Sequence, residues 1–238
     1  MKKCAECNGS GFIIKYNETT KEDEAVPCVC RLEREERDLI RTKLISAGVE
    51  TKYWEYTFDN YLSLIDKKAK SDNQVSIDTF RVLIEDPIKF MKSLDYGVLW
   101  IWGRSPTAGH TSLATMLATE ILKKNYSARF LTMQNLLAAF TTFDTKVEFF
   151  KDLSLASFYI LDNAFDSNRC SAKGEYTIIH LYNWLNDVLS SGKKIICASK
   201  IPIREIDIQF QQSKSLLLSY GYEIEFKGEI VKKKESLI

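Results

Sequence analysis

Two cysteine pairs open the chain, Cys4-x-x-Cys7 in "CAECNGSGF" and Cys28-x-Cys30 in "VPCVC". Thiolates in two close pairs, separated by a polar, hairpin-like stretch, can surround one tetrahedral ion. Gly9 and Gly11 suit the turn after the first pair, where backbone amides can point at sulfur. Four protein ligands leave no open coordination position, so a Zn²⁺ ion held here would be structural. A segment this short buries too little apolar surface to fold alone and needs such a staple. The competing reading is four unrelated thiols, against which the paired spacing with flanking glycines weighs. Cys170 and Cys197 stand alone and are expected to be buried.

A second group of residues suggests phosphate chemistry. "GRSPTAGHTS" (103–112) lies between an apolar run, "GVLWIW", and a helical run, "LATMLATEIL". Strand, Gly-rich turn and helix form the setting of the loop G-x-x-x-x-G-K-[ST]. With a one-residue insertion, Gly103 and Gly109 are its glycines, His110 stands at the lysine, Thr111 is the magnesium-binding hydroxyl and Ser112 follows. Without the insertion, Ala108 replaces the second glycine and Gly109 the lysine. Losing the lysine removes a charge-assisted contact of roughly 1.5–3 kcal/mol. Loop amides and the helix N-terminus could still hold a phosphate weakly. Further on, "FYILDN" delivers Asp162 at the end of an apolar strand, the shape of a magnesium-binding carboxylate. The next residue, where a second acid would activate water, is Asn163, whose amide cannot accept the proton.

The elements that must position these groups are legible as pattern. "GVLWIW" (97–102), "ARFLTM" (128–133), "SFYILDN" (157–163) and "KKIICASK" (193–200) read as strands. "SIDTFRVLIEDPIKFMKSL", "QNLLAAF" and "YTIIHLYNWLNDVLSSG" read as helices. Strands alternating with helices of this length imply an α/β fold, a parallel sheet with helices on both faces. Ligands then sit at the carboxyl ends of the strands, here 103–112, 162–163 and 199–200. Trp100 and Trp102 belong to a buried strand, and His180 and Trp184 are assigned packing on the polar side of their helix.

The totals bound the function. The 238 residues, 45% hydrophobic and 27% charged with a net charge of +1, describe a globular protein with no global basic field for nucleic acid. No run reaches the length of a membrane span, and "MKKCAECNGSG" lacks a signal-peptide core, so a cytoplasmic location is expected. There, cysteines more often ligate metal or lie buried than pair as disulfides. After Cys30, "RLEREERDLIRTKLISAG" reads as a charged linker helix carrying Arg31, Arg34, Arg37 and Arg41. These arginines, and "KKK" at 232–234, read as solvated surface.

Over nearly its whole length the chain resembles the DnaC/DnaI-type replicative helicase loaders and the related transposon-associated IstB-like ATPases. Cys4, Cys7, Gly9, Gly11, Cys28 and Cys30 match the family's zinc module. "GVETKYWEYTFDNY" resembles its next conserved segment at Tyr53, Thr57, Phe58, Asn60 and Tyr61. "ARFLTMQNLLAAF", "GKKIICASKIPIREI" and "EIEFKGE" are similar to later family segments, in the same order. The resemblance implies a zinc-binding module at 1–32, a linker helix at 33–48 and an AAA+ (P-loop NTPase-like) domain at 49–238. It also implies a replicative helicase as partner, with single-stranded DNA and a related AAA+ loader or further copies of the chain as additional partners, and ATP or ADP with Mg²⁺ as ligand.

Four parts of the family's hydrolysis machinery are replaced. His110 stands for lysine, Asn163 for the second acid and Lys200 for the sensor asparagine after Ser199. "FQQSKSLLLSYGY" has no arginine where the family carries its finger, and Lys214 is its only cation. The leading expectation is therefore a pseudo-ATPase of loader type that binds helicase. The alternatives are an active loader using His110 and Lys200 as compensating cations, an inhibitor occupying the helicase or loader surface, or an adaptor with no DNA role.

Overall fold

The apolar run Val98–Trp102, with no polar alternation, forms a strand covered on both faces. A computed structural model of the chain describes residues 4–65, 67–93, 97–105, 107–141, 146–166 and 174–228, the side chains of 146–148 excepted. Cys170 and 232–234 lie outside the described residues. The chain divides into two compact units, Met1–Lys43 and Leu44–Ile238.

In the first unit, β1 (Phe12–Asn17) pairs antiparallel with β2 (Glu22–Pro27), in a register running from Phe12 opposite Pro27 to Asn17 opposite Glu22. The Asn17 side chain accepts the Thr19 amide at 2.9 Å, and Lys21 takes a left-handed φ of 57° to close the turn. Helix α1 (Val29–Ala47) follows without a break and carries the unit boundary within it. It begins before Cys30, so the fourth thiol sits on its first turn.

In the second unit, α2 (Phe58–Leu64), α3 (Lys67–Asp72), α4 (Gln74–Glu85) and α5 (Pro87–Ser93) lead into β3 (Val98–Trp102). Then come α6 (His110–Lys123), β4 (Ala128–Thr132), α7 (Met133–Thr141), α8 (Lys146–Ser154), β5 (Phe158–Asp162), α9 (Glu175–Ser190), β6 (Lys194–Ser199), α10 (Gln211–Tyr220) and β7 (Gly221–Glu225). The five strands form one parallel sheet in the order β4-β5-β6-β3-β7. This is the AAA+ type of α/β architecture. Trp100, Leu99, Ile101, Ile196 and Cys197 are fully buried at its centre. Among the described residues no helix is long and apolar enough to cross a membrane.

Three details depart from the sequence reading. The single helix expected over 76–94 is two, because Pro87 cannot continue α4; the Asp86 carboxylate accepts the Lys89 amide at 3.1 Å and starts α5. "GYEIE" forms an edge strand that the pattern did not announce. Only Ile224 of β7 is buried, and side chains hold the strand's end: Ser76 Oγ donates to the Glu225 carbonyl at 2.6 Å. Just beyond, the Asn73 carboxamide takes both the N–H and the C=O of Lys227, each at 2.6 Å. Finally, His180 and Trp184 do pack, but against core rings: His180 stacks on Phe140 and Trp184 meets Tyr159 edge-on.

Candidate functional site

The N-terminal hairpin gathers all four thiols predicted as ligands. Their sulfurs lie within 4.8 Å of one another, with Cys4–Cys28 at 3.8 Å and Cys7–Cys30 at 3.4 Å. Sulfurs about 2.3 Å from a tetrahedral zinc stand about 3.8 Å apart, so the cage has the right size for one ion and is too wide for disulfides. The Gly11 amide donates to Cys7 Sγ at 3.4 Å, as the glycine spacing anticipated. That amide, with the Cys30 thiol and the Gly9 amide beside it, pulls Cys7 down to about 6. Cys30 is pushed up to about 12 by the neighbouring Cys7 and Cys28 thiols. One sulfur thus ionises readily and makes its neighbour resist, and a divalent cation is what would let all four carry charge together.

In the second unit the carboxyl ends of β3, β5 and β6 converge on the N-terminus of α6. Thr111 Oγ1 donates to Asp162 Oδ1 at 2.6 Å, joining the two predicted magnesium-binding groups across fifty-one residues of sequence. Asp162 is buried, and its other oxygen, Oδ2, accepts from Asn163 Nδ2 at 2.8 Å. Asn163 has φ 52°, left-handed backbone that asparagine tolerates better than most side chains. Phe165, also left-handed at φ 55°, turns back into the core against Trp100 and Phe210. The turn is anchored to β6: the Ala164 amide donates to the Ala198 carbonyl, and Ser199 Oγ to the Ala164 carbonyl at 2.8 Å.

The loop before α6 turns partly inward. The Thr107 amide donates to Ser105 Oγ at 3.2 Å and the Ala108 amide to the Ser105 carbonyl at 3.0 Å. The Ala108 carbonyl accepts from Tyr61 at 2.8 Å, and Arg104 forks onto Glu205 at 2.6 and 3.1 Å. Two loop amides that would wrap a phosphate in a working loop are thus spent on the loop itself. Both motif glycines also have reasons unrelated to ligand. A Cβ on Gly103 would stand 2.4 Å from the Phe226 carbonyl oxygen and 2.7 Å from Ala108 Cβ. Gly109 caps α6 with φ 78°, which side-chain-bearing residues rarely adopt.

His110 and Ser112 are buried in the first turn of α6. His110 is 4% exposed, and its Nδ1 has no hydrogen-bond partner among the described residues. Burial first, and the Lys200 ammonium second, push the imidazole down to about 4 against the pull of Asp166. It is neutral at pH 7, which corrects the expectation that His110 could serve as a compensating cation. Lys200 does stand near it, but its ammonium is held by buried Asp166 at 2.7 Å. Asp166 is the member of the site the sequence did not reveal; it lies beyond Asp162 with no motif to place it opposite Lys200. Tyr53 was noted only as a family match; its hydroxyl is pushed up chiefly by burial, with the charge of Asp162 close enough to contribute. Lys214 Nζ reaches the Ile206 carbonyl at 3.4 Å.

Taken together, the Thr111–Asp162 pair suits a magnesium ion. Beside it stand the neutral His110 and Lys200, whose ammonium is engaged by Asp166.

No family model and no curated protein matches the chain. Solved structures do match its fold. The DnaC helicase loader is 16% identical, covering 75% of this chain and 100% of its own, with TM-score 0.55. DnaI is 16% identical, covering 77% and 94%, with TM-score 0.55. The replication initiator DnaA bound to AMPPCP and single-stranded DNA is 20% identical, covering 76% and 51%, with TM-score 0.57. The chain thus spans about half the length of two AMPPCP-bound DnaA chains that it matches. At these identities the likeness is one of fold.

Proposed function

We propose that this chain is a replication protein of helicase-loader type, acting in the cytoplasm, whose nucleotide site no longer turns over ATP. The observation that carries the second half is the state of Asp162. Neutral donors engage both of its oxygens, and one of them, Asn163, occupies the position where a base would activate water. A carboxamide there can orient water but cannot take its proton. The loss of the loop lysine and of any arginine between Ile208 and Tyr222 supports the same conclusion. The fold shared with a DnaC helicase loader and with DnaI supports the partner: a replicative helicase, docked through the N-terminal unit once Cys4, Cys7, Cys28 and Cys30 hold zinc. Zinc supplies no chemistry in this reading; it fixes the hairpin against the start of α1. Single-stranded DNA and a related AAA+ protein, or further copies of this chain, are the additional partners. Such a protein either loads the helicase without hydrolysis or occupies its surface.

One observation favours a second reading, an active ATPase. Lys200 stands on β6's exit beside the place a loop lysine would occupy, and an incoming phosphate could draw its ammonium from Asp166.

Two measurements separate these readings. Steady-state ATP hydrolysis with single-stranded DNA present is expected at background; turnover abolished by Asp162→Ala and by Lys200→Met would establish the second reading. Helicase pull-down with and without ATP is expected to succeed in both conditions. Failure of the metal-loaded chain to retain helicase would refute the loader-type assignment.

A further inference from the structure

The end of the sheet opposite the nucleotide-type site carries a feature that the reading above does not use. Between α5 and the turn from α6 into β4 lies an open groove of about 590 Å³. Lys89, Lys92 and Lys124 line it with Tyr126, Ser93 and Asp86. Three ammonium groups face one carboxylate, in a chain whose overall net charge is only +1. Asp86 is shared between the Lys89 amide at 3.1 Å and the Lys124 ammonium at 3.4 Å. Neither Lys89 nor Lys92 forms a direct ion pair among the described residues, although the Lys89 charge acts on Asp86; Lys92 Nζ stands 6.0 Å from the Tyr126 ring centre.

Tyr126 is held in place rather than trailing from a loop. Helix α6 ends in a Schellman motif, with Asn125 left-handed at φ 62°. The Tyr126 amide donates to the Ile121 carbonyl at 3.2 Å and the Asn125 amide to Leu122 at 3.1 Å. The Tyr126 ring is backed edge-on by Phe158, 5.9 Å away, and remains 37% exposed. A fixed, half-exposed ring beside exposed cations is the pairing that single-stranded nucleic acid uses, bases stacking on the ring while ammonium groups take phosphates. A duplex keeps its bases stacked internally and has no free face for such a ring. An acidic peptide satisfies the lysines but offers nothing that requires Tyr126.

We propose that this groove binds single-stranded nucleic acid, Lys89, Lys92 and Lys124 contacting phosphates and Tyr126 stacking on a base. The proposal gives a location to the nucleic-acid part of the functional reading and rests on it only to that extent.

The test is fluorescence anisotropy of a labelled oligothymidine with the full metal-loaded chain, at several salt concentrations. Lys89→Glu with Lys92→Glu is expected to weaken binding at least about tenfold and to flatten the salt slope by about 1.4, two single-strand phosphate contacts. Tyr126→Leu is expected to weaken it about 5- to 150-fold with the slope unchanged, and Tyr126→Phe to bind like the parent. No binding by the parent chain, parental affinity in the lysine variant or in a folded Tyr126→Leu, or equal binding of a duplex or of polyglutamate would each overturn the proposal. The lysines are exposed, so their variant reads binding even if Tyr126→Leu proves unstable. Helicase pull-down by the lysine variant is run in parallel. Retained helicase with unchanged oligonucleotide binding would refute this groove alone, whereas lost helicase in the parent chain would refute the loader reading.

Discussion

Replacing Gly103 by alanine separates architecture from ligand binding. If the glycine is there for phosphate, Gly103→Ala should fold normally and lose only nucleotide. The structure gives the opposite expectation. The new methyl would stand 2.4 Å from the Phe226 carbonyl oxygen, well inside contact distance. That carbonyl has little room to retreat. The Phe226 amide is bound to the Trp102 carbonyl at 2.7 Å, and the next residue is clamped on both sides by Asn73. The Phe226 ring, 1% exposed, is wedged edge-on against Tyr61 and Phe80. Overpacking costs about 1–3 kcal/mol where neighbours can relax, so about 3 kcal/mol is expected here. For a domain of this size that lowers Tm by about 6–12 °C. Gly109→Ala, strained by its φ of 78°, should cost about 1–2 kcal/mol from that backbone conformation and shift Tm by about 2–8 °C. Thermal unfolding followed by circular dichroism reads both, with calorimetric ATP titration alongside. A Gly103→Ala protein that melts within a degree or two of its parent would refute the architectural reading and return the glycine to phosphate binding.

His110 makes stability depend on pH. Its folded-state pKa lies near 4, below the unfolded value, so its contribution is fully present above about pH 6.5 and is lost as pH falls toward 4. Denaturant unfolding should show the parent losing about 3 kcal/mol more than His110→Gln across that window; parallel pH profiles would contradict the buried, neutral imidazole. Cys4→Ser should reduce bound zinc from about one equivalent to none and unfold the first unit while the second keeps its melting transition, by metal analysis and calorimetry. Metal-free protein with an ordered hairpin would count against the zinc assignment. His110→Lys places an ammonium where Lys200 already stands, so ATP affinity should rise about tenfold at most, with no turnover. Robust hydrolysis from that one change would mean that Asn163 and the absent arginine are not losses. Lys200→Met should destabilise the second unit by about 2–4 kcal/mol by leaving buried Asp166 without its ammonium. An unchanged denaturation midpoint would mean that the pair contributes nothing net.

Sequence by itself determined the elements whose signal is local. The short unalternating apolar runs, bounded by turns and rich in β-branched and aromatic residues, read as buried strands, and four of the five strands of the sheet were legible for that reason. The cysteine spacing was enough to bring the four thiols together, because each pair lies within a few residues and a hairpin is the short route between them. The departures at His110, Asn163 and Lys200 were legible too, since each follows a strand end or a motif position. Tertiary structure decided what depends on distant chain segments. β7 is a polar edge strand that exists because β3 offers it a partner and Asn73 and Ser76 hold its end, contacts 149 to 154 residues apart. Lys200 became an ion-paired group only when the turn through Asn163 and Phe165 carried Asp166 opposite it. Gly103 looked like a phosphate glycine in sequence and proved to be a backbone crossing, because the clash that requires it comes from Phe226, at the far end of the chain.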